Sequence, residues 1–169
     1  MLNAMLDTNI FDRLLIQPAS VDFLNNLVRA NKVQLFITAV QRNQINQASD
    51  ETKRNALLSI LERLHVQKIP VEFAPYGYVY GECYGGLSPD VTLDREDFIK
   101  SNNKHIEDAI IAATASSKKY QMDYVVTDDK GFRKRLNRQQ STTKAITFEK
   151  FKAIAVQLQI TAQTTTLAH

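Results

Sequence analysis

Two groups of acidic residues stand where an α/β sheet would end its strands. Asp7 closes the apolar run Leu2-Asn3-Ala4-Met5-Leu6, and Asp128-Asp129 close Tyr124-Val125-Val126-Thr127. A carboxylate withdrawn from water is costly unless it is paired or coordinated. Several carboxylates facing one crevice repel one another, and such a grouping persists most easily around a cation. Oxygen donors of this kind suit Mg²⁺ or Mn²⁺ rather than zinc. The plainer alternative is that each acid caps a helix, which Asp7 or Asp129 can do through nearby backbone N–H groups.

The elements that must position these acids follow from the apolar pattern. Leu2 to Leu6 reads as a buried strand. Asn9 is placed to cap a helix through Ile10-Phe11 and Leu14-Leu15, and Ser20 to cap a second with Val21, Leu24 and Val28 on one face. Val33 to Ile37 reads as strand, Ala39 to Gln47 as a polar helix, and Val66 to Ile69 as a short strand stopped by Pro70. Between them, Leu57, Ile60, Leu61 and Leu64 carry the i, i+3, i+4, i+7 spacing of an amphipathic helix. A helix over about Lys104 to Lys119 carries Ile106, Ala109, Ile110 and Ala113 on one face, its alanines permitting close approach to a sheet. After Thr127 come a basic helix, a fifth strand from Ala145 to Phe148, and a last helix to about Ile160. Strands alternating with helices predict a parallel sheet covered on both faces. Ligands of such sheets bind beyond the carboxyl ends of the strands, where strand order reverses.

Composition narrows the classes. A hydrophobic fraction of 44% and a charged fraction of 23% suit one folded domain. No apolar run is long enough to span a membrane, and Asp7 interrupts the N-terminus too early for a signal peptide. The single Cys83 excludes a disulfide framework and a multi-thiolate zinc site, so a cytoplasmic protein is expected. The net charge of +3 is modest, but basic residues gather late in the chain. Lys118, Lys119, Lys130, Arg133, Lys134, Arg135, Arg138, Lys144, Lys150 and Lys152 form either a phosphate-facing surface or a set of solvated helix faces. Residues 74–89 hold four of the five glycines together with Tyr76, Tyr78, Tyr80 and Tyr84, and read as part of an irregular insertion over about 74–100. Those tyrosines could stack on bases, though packing the insertion onto the domain is the simpler role. His65 and His105 lack partners at metal-binding spacing, and Cys83 lacks an evident base. The Thr-rich stretch 161–169 is expected to be disordered.

Three segments in order carry a more specific signal: Leu6-Asp7-Thr8-Asn9-Ile10-Phe11, Ile106-Glu107-Asp108-Ala109-Ile110-Ile111-Ala112-Ala113, and Val125-Val126-Thr127-Asp128-Asp129-Lys130-Gly131-Phe132. Together they resemble the PIN-domain family of metal-dependent ribonucleases, over about residues 2–150. The resemblance implies one PIN-like domain over about 1–160, a three-layer α/β/α fold whose five-stranded parallel sheet has the order 3-2-1-4-5. It also implies Mg²⁺ or Mn²⁺, and endonucleolytic hydrolysis of RNA. Asp7, Asp108 and Asp129 match the family's metal-holding acids, which makes them the expected catalytic residues, with Asp128 a helper or substitute for Asp129. Thr8, Asn9 and Thr127 match supporting polar positions, and Lys130, Arg133, Lys134, Arg135 and Arg138 would bind flanking RNA phosphates.

Glu107 adjoins a matched acid, but on a helix it points about 100° away and is expected to be solvated. Gln44 is the departure. It stands where the family usually carries a glutamate, keeping a carbonyl oxygen but neither the charge nor the basicity. A PIN-like RNA-binding module with weak or no catalysis is therefore the alternative reading. The small single-domain build suits the toxin of a toxin–antitoxin pair, with an antitoxin protein as partner, and the resemblance also suggests a homodimer. A phosphohydrolase using Asp7 as a covalent nucleophile is disfavoured, because Asn9 stands where such enzymes carry a second aspartate.

Overall fold

The computed structural model describes residues 1–71, 106–138 and 142–166. The expected insertion at about 74–100, with its tyrosines and Cys83, lies outside the described residues, as does His105. In chain order the described elements are β1 (Leu2–Leu6), α1 (Thr8–Ile16), α2 (Pro18–Arg29), β2 (Val33–Thr38), α3 (Ala39–Asn46), α4 (Glu51–Arg63) and β3 (Gln67–Ile69). Then follow α5 (Ile106–Ser116), β4 (Tyr124–Val126), α6 (Lys130–Arg138), β5 (Lys144–Ile146) and α7 (Phe148–Thr166).

The five strands form one sheet of order β3-β2-β1-β4-β5, and every pairing is parallel. This is the expected α/β architecture and strand order. β1 is central, and its side chains alternate between two cores as strand geometry requires. Ala4 and Leu6 enter a core with Ile10, Phe11 and Leu14 of α1, Leu24 and Leu27 of α2, Leu57 and Leu61 of α4, and Phe148 and Phe151 of α7. Met5 enters a second core with Val40 of α3, Ile110, Ile111 and Ala112 of α5, and Phe132 and Leu136 of α6. Ala112, Ala113 and Ala115 of α5 are nearly or fully buried, which is how that helix comes to lie close to the sheet, while Ala109, expected on that face, is half-buried.

Register sets the site. Leu6 pairs with Val126 across β1 and β4, so Asp7 and Thr127 emerge side by side. The bond from Asp7 N to Val126 O (2.9 Å) and that from Thr127 N to Ile146 O (2.9 Å) extend the ladder just past the strand ends. β2 lies on one side of β1 and β4 on the other, so strand order reverses at β1 and opens a crevice there.

Several boundaries differ from the sequence reading. Asn9, expected to cap α1, lies within the helix, which is capped by Asp7 as the alternative reading of that acid had it, its side chain accepting from Thr8 N. Pro18 starts α2 with its φ already suited to a first helical position, and Ser20 lies inside that helix. β5 stops at Ile146, and Phe148 opens α7, which continues past Ile160 to Thr166. His65 sits at the end of α4 with φ of 48°, within the turn closed by the bond from Val66 N to Leu61 O (3.0 Å).

Candidate functional site

The crevice is built around the Asp7 carboxylate. Its Oδ1 accepts from Thr8 N at 2.7 Å. Its Oδ2 accepts from Asn9 Nδ2 at 2.7 Å and from Thr127 Oγ1 at 2.5 Å. Thr127 is fully buried, and its hydroxyl uses its whole capacity: besides donating to Asp7, it accepts from Asn9 Nδ2 (3.0 Å) and Asp129 N (3.1 Å). A single hydroxyl thus ties the end of β1 to the start of α6. Burial pushes the Asp7 carboxyl above its usual pKa of 3.8. The bonds from Thr127 and Thr8 oppose that rise, while the negative charges of Asp108 and Asp129 reinforce it. The three expected acids therefore share one electrostatic neighbourhood.

Each of the other two acids has its own local partner. Asp129 Oδ1 accepts from Phe132 N at 2.8 Å and caps α6. Asp108, in the first turn of α5, is ion-paired to Arg135 Nη2 of α6. Among the described residues, no group of three or more Asp, Glu, His or Cys is gathered tightly enough to hold one ion. Each of the three acids is satisfied by a different donor: Asp7 by Thr127, Thr8 and Asn9, Asp129 by Phe132 N, and Asp108 by Arg135.

On the opposite wall, α3 is fastened to the end of β1. Gln41 is fully buried, donates from Nε2 to Leu6 O (2.8 Å), and forms a reciprocal capping box with Thr38. One helical turn on, Gln44 Oε1 accepts from Thr8 Oγ1, and Gln44 Nε2 donates to Glu107 Oε2 at 2.5 Å. Glu107 is therefore not a solvated residue as expected. It is half-buried and turned toward α3, because Gln44 lies in the direction it takes on the helix. The Thr38-Ala39-Val40-Gln41 capping pattern could have identified Gln41 in the sequence; nothing local marked Glu107.

Asp128 also departs from expectation. Its Oδ2 pairs with Arg13 Nη1 at 2.8 Å, and its Oδ1 accepts from Phe148 N at 3.2 Å. Arg13 reaches Glu149 as well, and its guanidinium lies 5.1 Å from the Phe148 ring centroid. Asp128 braces α1 and α7 against the end of β4 instead of facing Asp7. Lys130, Arg133, Lys134 and Arg138, with Asn137, line an open depression of about 420 Å³ on α6. Arg133 Nη1 also donates to Thr127 O at 2.7 Å. Arg135, expected among the phosphate-binding cations, turns instead to Asp108.

The side chains offer oxygen donors: the carboxylates, the amide oxygens of Asn9 and Gln44, and the hydroxyls of Thr8 and Thr127. That chemistry fits a hard divalent cation, which would offset the burial that raises the Asp7 pKa and the smaller repulsion from Asp108 and Asp129. No protein-family model matches the chain, and no curated protein matches it. Among solved structures, it is similar to a chain in the crystal structure of VapBC2 from Rickettsia felis bound to a DNA fragment from their promoter. The identity is 17%, with 86% of this chain and 98% of that chain covered, at a TM-score of 0.48.

Proposed function

We propose that the protein is a PIN-like endoribonuclease that hydrolyses RNA phosphodiester bonds with Mg²⁺ or Mn²⁺. The observation that carries this reading is electrostatic. At the carboxyl ends of β1 and β4 the Thr127 hydroxyl joins Asp7 to Asp129, and the charges of Asp129 and of Asp108 on α5 both bear on Asp7, beside a helix whose outer face is lined with cations. Asp7, Asp129 and Asp108 are the residues that would hold the ion. When bound, it supplies Lewis acidity and positive charge beside the scissile phosphate. Thr127 and Asn9 orient the Asp7 carboxylate through Oδ2. Lys130, Lys134 and Arg138 bind flanking RNA phosphates and set the strand's path past the crevice. The bracing of Asp128 by Arg13 and of Arg133 by Thr127 O keeps the β4–α6 corner in place. Catalysis then rests on positioning and charge.

The small domain fits the toxin of a toxin–antitoxin pair, with an antitoxin protein as partner and a homodimer as the assembly. A second reading is favoured by Gln44. Its neutral amide is already engaged by Thr8 and Glu107, which suits an RNA-binding module of weak or no activity. The deciding experiment incubates end-labelled single-stranded RNA with the purified protein in Mn²⁺, in Mg²⁺ and in EDTA. The nuclease reading expects metal-dependent cleavage that Asp7→Asn abolishes while circular dichroism stays native. RNA binding in EDTA without cleavage in either metal would replace it with the binding-module reading. Cleavage that is equal in Asp7→Asn defeats the assignment of the site.

A further inference from the structure

The α6 cations divide into two groups. Lys130, Arg133, Lys134 and Arg138 border the outer depression, whereas Arg135 is, among the described residues, the α6 cation ion-paired to an acid of the crevice. Helical side chains lean toward the N-terminus, so Arg135 runs back over Gly131, one turn earlier. A Cβ at Gly131 would stand 3.3 Å from Arg135 Nη1 and 3.1 Å from Asp129 Oδ1. The missing side chain is what lets the guanidinium lie close over Gly131 while its Nη2 reaches Asp108. The position is not one of complete hydrogen bonding: Arg135 Nε is buried with no partner among the described residues. A guanidinium that leaves a donor unsatisfied is held there by the charge of Asp108, and charge is what an incoming cation can supply in its place.

We propose that Arg135 is a built-in counter-ion of the acidic crevice, which competes with the divalent cation for Asp108 and so sets the metal concentration at which the site fills. The inference rests on the metal-dependent reading above and deepens it. With Arg135 in place, the only ion-competent molecules are those in which it has swung away, and the apparent dissociation constant rises by the inverse of their fraction.

The test titrates Mn²⁺ into the full chain and reads free Mn²⁺ by electron paramagnetic resonance, with no RNA present. Arg135→Gln, which removes the charge, is expected to tighten Mn²⁺ binding about tenfold, whereas Arg135→Lys stays within about threefold of wild type. Equal or weaker binding by Arg135→Gln overturns the competition while leaving the metal site standing. Absence of Mn²⁺ binding in every variant defeats both this inference and the metal-dependent function. A measurement on wild type guards against a variant that does not fold: the Arg135 Nε–H resonance followed by NMR during a Mg²⁺ titration. It is expected to move along the saturation curve of the ion, and a resonance that stays fixed while Mg²⁺ binds refutes the displacement.

Discussion

Replacing Thr127 by valine isolates the hydroxyl that joins Asp7 to Asp129 with little change in side-chain volume. Thr127 Oγ1 donates to Asp7 Oδ2 at 2.5 Å and accepts from Asp129 N at 3.1 Å, in a fully buried position. A hydrogen bond to a charged group contributes about 1.5–3 kcal/mol, and an orphaned buried N–H costs about 1–3 kcal/mol more. The added methyl returns about 0.8 kcal/mol. The net expectation is a loss of about 2–5 kcal/mol, or about 4–20 °C in Tm for a domain of this size. Urea and thermal unfolding in EDTA, followed by circular dichroism, provide the reading. Thr127→Ser restores the hydroxyl and should recover most of the loss. If Thr127→Val unfolds within about 0.5 kcal/mol of wild type, or Thr127→Ser is equally damaged, the hydroxyl does not hold the site together.

Three other outcomes follow from the same geometry. Asp129→Ser keeps a side-chain acceptor for Phe132 N, so stability should fall by less than about 1 kcal/mol while Mn²⁺ affinity drops at least tenfold; calorimetric titration beside a urea melt separates the two. Because burial raises the Asp7 pKa, the native state binds that proton more tightly than the unfolded chain. Stability relative to Asp7→Asn should therefore fall as pH rises from 3.8 through the raised value and level off above it, and a difference that is flat with pH refutes this. Arg13→Ala removes the pairs to Asp128 and Glu149 and the contact with Phe148, for an expected loss of about 1–2 kcal/mol that shrinks in high salt.

The sheet was largely legible because its causes are local. Apolar runs of strand length, broken at Asp7 and near Thr127 and separated by helical spacing, define the βα alternation. The resemblance supplied the strand order that the structure shows. Errors came where two local signals competed. At Asp7-Thr8-Asn9 either acid or amide can cap, and Asp7 does so because Asn9 is drawn to Asp7 Oδ2 and Thr127. At Thr147-Phe148 an apolar residue read as strand instead opens α7, its N–H held by Asp128 from twenty residues away. Side-chain direction at the site was the least legible feature. The helical angle that seemed to send Glu107 into water sends it to Gln44, because the position of α3 is a tertiary fact. Likewise nothing in the basic run Arg133-Lys134-Arg135 separates the cation that faces Asp108 from those that face outward.

The central claim is that Asp7, Asp129 and Asp108 serve one shared ion. Crystals soaked in Mn²⁺ and measured for anomalous scattering test it most directly. The account predicts a peak within about 2.5 Å of carboxylate oxygens of Asp7 and Asp129, with Arg135 withdrawn and Asp108 turned to the ion. A saturating soak that leaves this crevice without a peak, or places the ion away from Asp7, would contradict it.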